Sequence, residues 1–231
     1  MIIHGLQKLT LLDFPSHTAC TVFTGGCNFR CPFCHNASLV AHPNEQPTLP
    51  LPEFFDFLKK RQGLLDGVAI TGGEPTLQSD LPDFIREIRS LGFAIKLDTN
   101  GYKPDMLGSL IREGLLDFIA MDIKAAPRNY AAACGLSVVD LTAVQQSIDL
   151  ICASGLPYEF RTTYVKGLHT PADAEEISRW LPPSSPYFLQ NFKDSGDILK
   201  PGYDSFSREE MEEFLVAAHR SLPQAQLRGI D

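Results

Sequence analysis

The sequence predicts an α/β protein, a partial (β/α)6 TIM-type barrel folded as a single domain over residues 1–231. Three observations lead there. Short apolar, β-branched runs alternate with segments of helical period along the whole chain, and parallel strands need a crossover of about a helix between them. Polar, glycine-bearing segments stand directly after the first three runs, where the C-terminal ends of parallel strands form a binding face. The 231 residues are fewer than the ~250 that an eight-unit barrel commonly takes, so the barrel is expected to stay open.

Taken in order, the predicted strands are Thr18 to Phe23, Val68 to Thr71, Ala94 to Asp98, Phe118 to Asp122, Tyr158 to Val165 and Tyr187 to Phe192. The predicted helices are Leu51 to Arg61, Leu81 to Leu91, Pro104 to Glu113, Leu141 to Ala153, Pro171 to Trp180 and Arg208 to Leu222, each with apolar residues at three-and-four spacing. Asp80, Asp140 and Thr170 precede their helices as expected N-caps. A short strand at Leu227-Arg228-Gly229 is expected to close the sheet edge. Pro182, Pro183 and Pro186 fall in one loop, and no repeat, low-complexity tract or linker interrupts the chain.

Composition narrows the function classes. A 44% hydrophobic, 21% charged chain is that of an ordinary globular protein. The net charge is −8, with basic residues scattered singly. No basic stripe exists to neutralise a run of phosphates, so nucleic acid is not an expected partner. No apolar run approaches the ~20 residues that span a bilayer, and Met1-Ile2-Ile3-His4-Gly5 lacks the features of a signal peptide. The expected location is therefore the cytoplasm, where six cysteines point to metal binding, catalysis or packing before disulfides.

Three of the six are clustered. Cys27-Asn-Phe-Arg-Cys31-Pro-Phe-Cys34 places them in one short loop after the first predicted strand, close enough to wrap one metal centre. An iron–sulfur cube takes about one thiolate per iron, so three would leave one iron open to a chelating substrate. Two other readings stay open at this point: a zinc site with His35 as fourth ligand, and thiols that simply pack. Cys20, Cys134 and Cys152 lie singly in apolar or helical settings and read as packing residues. None of the six histidines offers a catalytic pair, and His17, His169 and His219 read as isolated surface or packing residues.

Further polar residues fall at the neighbouring strand ends. Thr71-Gly72-Gly73-Glu74-Pro75 ends the second predicted strand, and glycine there would let backbone approach a ligand; an ordinary strand-to-helix turn is the alternative. Asp98-Thr99-Asn100-Gly101 and Met121-Asp122-Ile123-Lys124 follow the third and fourth, so two carboxylates could face one site or cap their own turns. Lys124 and Arg161 could screen a bound carboxylate, although a surface arginine is an equal reading for Arg161.

The C-x3-C-x2-C spacing of Cys27, Cys31 and Cys34, with aromatic Phe33 before the last cysteine, resembles the cluster loop of the radical SAM superfamily. The resemblance implies a 4Fe-4S cluster, held by these three catalytic cysteines, and S-adenosyl-L-methionine, whose amino and carboxylate groups bind the open iron. It also implies that electron transfer to the sulfonium releases a 5′-deoxyadenosyl radical. Gly72, Gly73 and Glu74 are similar to the segment that holds the methionine ammonium group in that family. The two Asp-bearing segments resemble the activating enzymes of glycyl radical enzymes, in which Asp98, Thr99, the Met121 carbonyl and Asp122 would surround a monovalent cation. Two unpaired carboxylates would otherwise repel an anionic ligand. Arg161 is similar in placement to a family arginine near S-adenosylmethionine. Gln190, in Leu189-Gln190-Asn191-Phe192, stands where pyruvate formate-lyase activating enzymes carry a histidine, and could hydrogen-bond the ligand.

The loop ends Cys34-His35-Asn36 and is preceded by Lys8-Leu-Thr-Leu-Leu-Asp13-Phe14-Pro15. That combination is similar to the branch of activating enzymes assigned to anaerobic ribonucleotide reductase. It implies an oxidoreductase that abstracts a Cα hydrogen from one glycine of a glycyl radical enzyme, with a flavodoxin or ferredoxin-type reductant supplying the electron. An activator of the pyruvate formate-lyase type and a radical SAM enzyme acting on a small metabolite are the nearest alternatives. An electron carrier or a zinc-stapled binding module would need neither Gly72-Gly73-Glu74 nor the paired aspartates.

Overall fold

The computed structural model describes residues 1–194 and 196–230. One sheet of eight strands runs through it in chain order: β1 (Ile3–Thr10), β2 (Ala19–Thr24), β3 (Gly67–Gly72), β4 (Ala94–Thr99), β5 (Phe118–Asp122), β6 (Tyr158–Tyr164), β7 (Tyr187–Asn191) and β8 (Gln226–Arg228). β2 to β8 are parallel throughout, while β1 joins β2 antiparallel. β1 and β8 are the two edges of the sheet and do not pair with each other, so the barrel is open, as its length predicts.

Among the described residues, eight α-helices accompany the strands: α1 (Ala37–Ala41), α2 (Leu51–Lys59), α3 (Leu81–Ser90), α4 (Pro104–Arg112), α5 (Tyr130–Ala133), α6 (Leu141–Ala153), α7 (Pro171–Trp180) and α8 (Arg208–His219). Successive strands are neighbours, so the crossovers turn the same way and place the long helices on one face. That convex face is the core. Val22, Val68, Ile70, Ile95, Leu97, Ile119 and Phe160 are all fully buried there, with Phe54, Ile85, Leu107, Ile148 and Ile177 from the helices.

Side chains alternate along a strand, and the register puts a different set on the concave face: Thr21, Ala69, Lys96 and Phe118 lie level, then Asp98, Ala120 and Glu159, then Asp122, Arg161, Phe188 and Gln226, with Gln190 and Arg228 above them. Charged residues on four strands of a buried concave surface mark it as a binding face. Phe14, 1% exposed, closes the opposite end: its ring stacks on His17 at 4.0 Å and meets Phe118 edge-on, beside the first residue of β3. Asp13 accepts a hydrogen bond from Thr21 at 2.5 Å. Phe14 and Asp13 of the Lys8 to Pro15 motif thus close the barrel floor, while Leu9, Leu11 and Leu12 stay exposed.

Several expectations need correction. β1, α1 and α5 are additional to the predicted elements; β1 is an edge strand that mixes exposed and half-buried residues, so it carries no apolar run. Asp140 caps α6 by accepting from the Thr142 N–H at 2.8 Å, and Thr170 forms a capping box with Asp173. Asp80 does not cap α3 through its side chain.

Candidate active site

The cavity at the C-terminal end of the strands, with about 790 Å³ of empty space, is lined from five of them. The loop after β2 supplies Cys27, Cys31, Phe33, Cys34 and Asn36, and the end of β3 supplies Thr71 to Glu74. β4 and its end bring Asp98, Thr99 and Asn100, β5 brings Asp122 and Lys124, and β6 brings Thr163. Of the residues singled out in the sequence, Arg161 and Gln190 are not among the described residues lining it. Arg161 lies just behind the carboxylates it binds, and Gln190 sits on the concave face of β7 beside Thr163.

The cysteine loop is held on every side by backbone contacts. Gly26 donates to Leu39 at 2.8 Å and accepts from Glu74 N–H at 2.8 Å; Arg30 N–H donates to Cys134 at 2.8 Å, and Lys200 N–H to Pro32 at 2.9 Å. A Cβ on Gly73 would stand 1.9 Å from the Gly26 carbonyl oxygen, and one on Gly72, at φ 113°, would stand 2.3 Å from the Thr24 nitrogen. Gly73 therefore admits the cysteine loop's own backbone and Gly72 the end of β2, a tighter requirement than approach of a ligand. Asn36 donates to the Gly72 carbonyl at 2.9 Å, and Asn100 to Asn28 at 2.9 Å. Sequence reasoning singled out neither asparagine as a site residue, because their partners lie 36 and 72 residues away.

Burial pushes the Cys27 thiol up to about 12 and raises Cys34 as well. Cys31 moves the other way, because the buried Cys134 thiol hydrogen-bonds it, and Lys124 favours the thiolate further. Cys134, read as a packing residue, thus packs against the cluster loop itself. Phe33 meets the His169 ring edge-on at 6.1 Å. His169 is buried, accepts from Val165 N–H at 3.1 Å through Nδ1, and so donates from Nε2 to the Lys124 carbonyl at 2.9 Å. It clamps the end of β5 against the cysteine loop, a role hidden in sequence by 45 residues of separation.

Glu74 is 1% exposed. Its carboxylate accepts from Thr76 N–H (3.1 Å), Thr76 Oγ1 (2.5 Å), Thr99 Oγ1 (2.7 Å) and Asn100 N–H (2.7 Å). All four donors are neutral, and burial raises its pKa against their combined pull. Across the cavity, Asp122 accepts from Arg161 Nε at 2.9 Å and from Lys124 Nζ at 3.0 Å, and Asp98 is bound by Lys96 and by Arg161 at 3.4 Å. Burial works against the charge on Asp122, but Arg161 and Lys124 outweigh it and hold the carboxyl well below the usual range. Burial likewise opposes the charge on Lys124 and Arg161, and their carboxylate partners reverse it.

The chain matches the profile of the Radical SAM superfamily over residues 21–181. It belongs to that superfamily. Among relatives, a Methanocaldococcus jannaschii protein named as a candidate glycyl-radical enzyme activating enzyme is 30% identical over 100% of this chain and 97% of its own length. A second from that organism, similarly named, is 35% identical over 49% of this chain and 44% of its own. A GTP 3′,8-cyclase from Synechococcus elongatus is 34% identical over 55% of this chain and 41% of its own. Among solved structures, Streptococcus suis SuiB bound to the precursor peptide SuiA superposes with a TM-score of 0.67 at 14% identity, covering 90% of this chain and 48% of SuiB. AdoMet-bound anSMEcpe gives 0.61 at 16% identity, covering 85% of this chain and 58% of its own. Apart from the first relative, this radical SAM chain spans between 41% and 58% of the lengths of these proteins.

The family implies a 4Fe-4S cluster and S-adenosylmethionine, and the residues fit both. Three thiols line one cavity from a single loop. A cube whose irons each take one thiolate needs three such thiols and leaves one iron to the ligand. His35 stacks on Phe192 at 5.4 Å. The monovalent cation implied by resemblance fits poorly, because the carboxylates it would join are not unpaired: each already holds two basic groups. Among the described residues, no helix is long and apolar enough to cross a membrane.

Proposed function

We propose that this protein is a glycyl-radical-enzyme activating enzyme, and that its substrate is anaerobic ribonucleoside-triphosphate reductase. The observation that carries the reading is the end-to-end likeness to the first Methanocaldococcus jannaschii relative, which joins the cysteine loop to a barrel left open between β1 and β8. A glycine-bearing loop of a macromolecular substrate needs such an opening, and glycine has no Cβ to block approach to its Cα hydrogen.

In this reading Cys27, Cys31 and Cys34 hold the cluster. When bound and reduced, it supplies the electron that breaks a carbon–sulfur bond of S-adenosylmethionine to give the 5′-deoxyadenosyl radical. The chain's own residues bind and orient. Glu74 takes the methionine ammonium group, since among the described residues it has no basic partner of its own. Lys124 faces the methionine carboxylate, with Arg161 behind it. Phe33 supports the loop on His169, while Gly72, Gly73 and Thr99 fix the backbone beneath it. A flavodoxin or ferredoxin-type protein supplies the electron. Gln190 has no part in the proposal.

The test is anaerobic. Protein reconstituted with iron and sulfide is given dithionite and S-adenosylmethionine, 5′-deoxyadenosine is assayed, and EPR is recorded with and without the reductase. The expected result is cleavage, with a glycine-centred doublet on the reductase, and loss of both in Cys31→Ala. Cleavage with no radical on any glycyl radical enzyme would move the substrate to a small metabolite. A fully loaded, reducible cluster that leaves S-adenosylmethionine intact would overturn the proposal.

A further inference from the structure

The two aspartates at the mouth have no vacant oxygen facing their basic neighbours. Asp98 Oδ1 contacts Lys96 Nζ, Asp98 Oδ2 lies 3.4 Å from the Arg161 guanidinium, Asp122 Oδ1 accepts from Arg161 Nε at 2.9 Å, and Asp122 Oδ2 accepts from Lys124 Nζ at 3.0 Å. Lysine, aspartate, arginine, aspartate and lysine thus form one unbroken chain of ion pairs across β4, β5 and β6. It continues downward, where Glu159 lies 3.8 Å from Arg161 and holds Arg228 through both carboxylate oxygens. Four basic groups face three acidic ones, so the concave face meets an incoming anion with a positive balance already in place.

Lys96 is the unexpected member. It is 1% exposed, and lysine is almost never fully buried without a strong reason. Being two residues before Asp98 on one strand, it shares that residue's face and approaches the carboxylate from the layer below. Among the described residues its contacts are Asp98 and, at 5.9 Å, the ring of Phe118. A buried ion pair is weak evidence for stability, because desolvation offsets the attraction. Its place directly beneath the cavity wall needs another explanation.

We propose that the Lys96 ammonium is a tethered replacement for a monovalent cation at this site: it neutralises Asp98 from below, so that the carboxylate of S-adenosylmethionine binds above without an alkali metal ion. Any ion seated between Asp98 and Asp122 would have to displace Lys96 or Arg161 from the oxygens they hold. The inference rests on the reading that this cavity binds S-adenosylmethionine. Lys96 is a positioning residue, since it acts through Asp98.

The experiment is equilibrium dialysis of labelled S-adenosylmethionine against cluster-loaded protein under anaerobic conditions. Potassium, sodium and tetramethylammonium chloride are compared at one ionic strength, the last being too large to enter the site. Wild-type protein is expected to bind with the same affinity, within about twofold, in all three. Lys96→Ala, which vacates the space, should bind about tenfold more weakly in tetramethylammonium and recover saturably in potassium or sodium. Lys96→Met, which fills the space without charge, should stay weak in every salt. A purely structural lysine would give no rescue that depends on which cation is present. Tightening of wild-type binding by tenfold or more on adding an alkali ion, or unchanged affinity of Lys96→Ala in tetramethylammonium, would overturn the inference. The wild-type comparison decides it alone if the variants fail to fold. Absence of binding by wild-type protein in every salt would instead overturn the S-adenosylmethionine reading, and this inference with it.

Discussion

Glu74 shows how one buried carboxylate can be held in reserve. Four neutral donors keep it in place, yet burial still raises its pKa. An acid whose folded value is raised stabilises the fold fully below its ordinary value, and that contribution is lost as the pH climbs through the raised one. Relative to Glu74→Gln, the wild type should therefore lose stability as the pH rises above the ordinary glutamate value of about 4.3, read as the difference in denaturant midpoint. A difference that stays flat above that value would mean the carboxyl titrates normally. The same variant should bind S-adenosylmethionine roughly ten- to a hundredfold more weakly at neutral pH, because a charge-assisted bond to the ammonium group is gone. The cysteines stood out in the sequence by local spacing, and Glu74 by its place after a predicted strand and by family resemblance; all four line the cavity. Lys96 and His169 did not stand out. A lysine inside a strand reads like any surface lysine until its burial is known, and the His169 partner lies on another βα unit.

At the scale of elements, six strands and six helices follow from alternation and helical period, to within three residues at each end. What the sequence did not disclose is how the cysteine loop is seated. Its support comes from backbone groups of β3, α5 and the segment after β7, which carry no side-chain signature. The fit at Gly73 makes this testable. A methyl group there meets the Gly26 carbonyl at 1.9 Å, and neither backbone can move without shifting Cys27. Gly73→Ala should cost roughly 1–3 kcal/mol by chemical denaturation and should lower the iron retained per chain after reconstitution. Gly63, exposed and with nothing within 4 Å of its built Cβ, has only its φ of 75° to strain. Gly63→Ala should cost about 1 kcal/mol and leave iron loading unchanged. Equal iron loading in the two variants would mean that the loop does not depend on this contact.

Across the whole molecule, the concave ion-pair chain links the open edge of the sheet to the mouth. β8 is three residues long and pairs with β7 alone, so its ladder is weak. Arg228 compensates by reaching past β7: it stacks on Phe188 with its guanidinium 3.7 Å from the ring centroid and grips Glu159 of β6 with both oxygens, at 3.0 and 2.8 Å. Arginine suits this position because one planar group can stack and form a bidentate pair at once. Removing it would leave Glu159, 3% exposed, with Arg161 as its remaining basic neighbour at 3.8 Å, and would draw Arg161 away from Asp122. Arg228→Ala should therefore destabilise the protein by roughly 1–3 kcal/mol and also weaken S-adenosylmethionine binding, although the cavity lining itself is untouched. Arg228→Lys keeps the charge but loses the stack and one hydrogen bond, and should fall between the two. If Arg228→Ala lowers the denaturant midpoint while ligand affinity stays at the wild-type value, β8 is a local staple and the concave face does not act as one connected network.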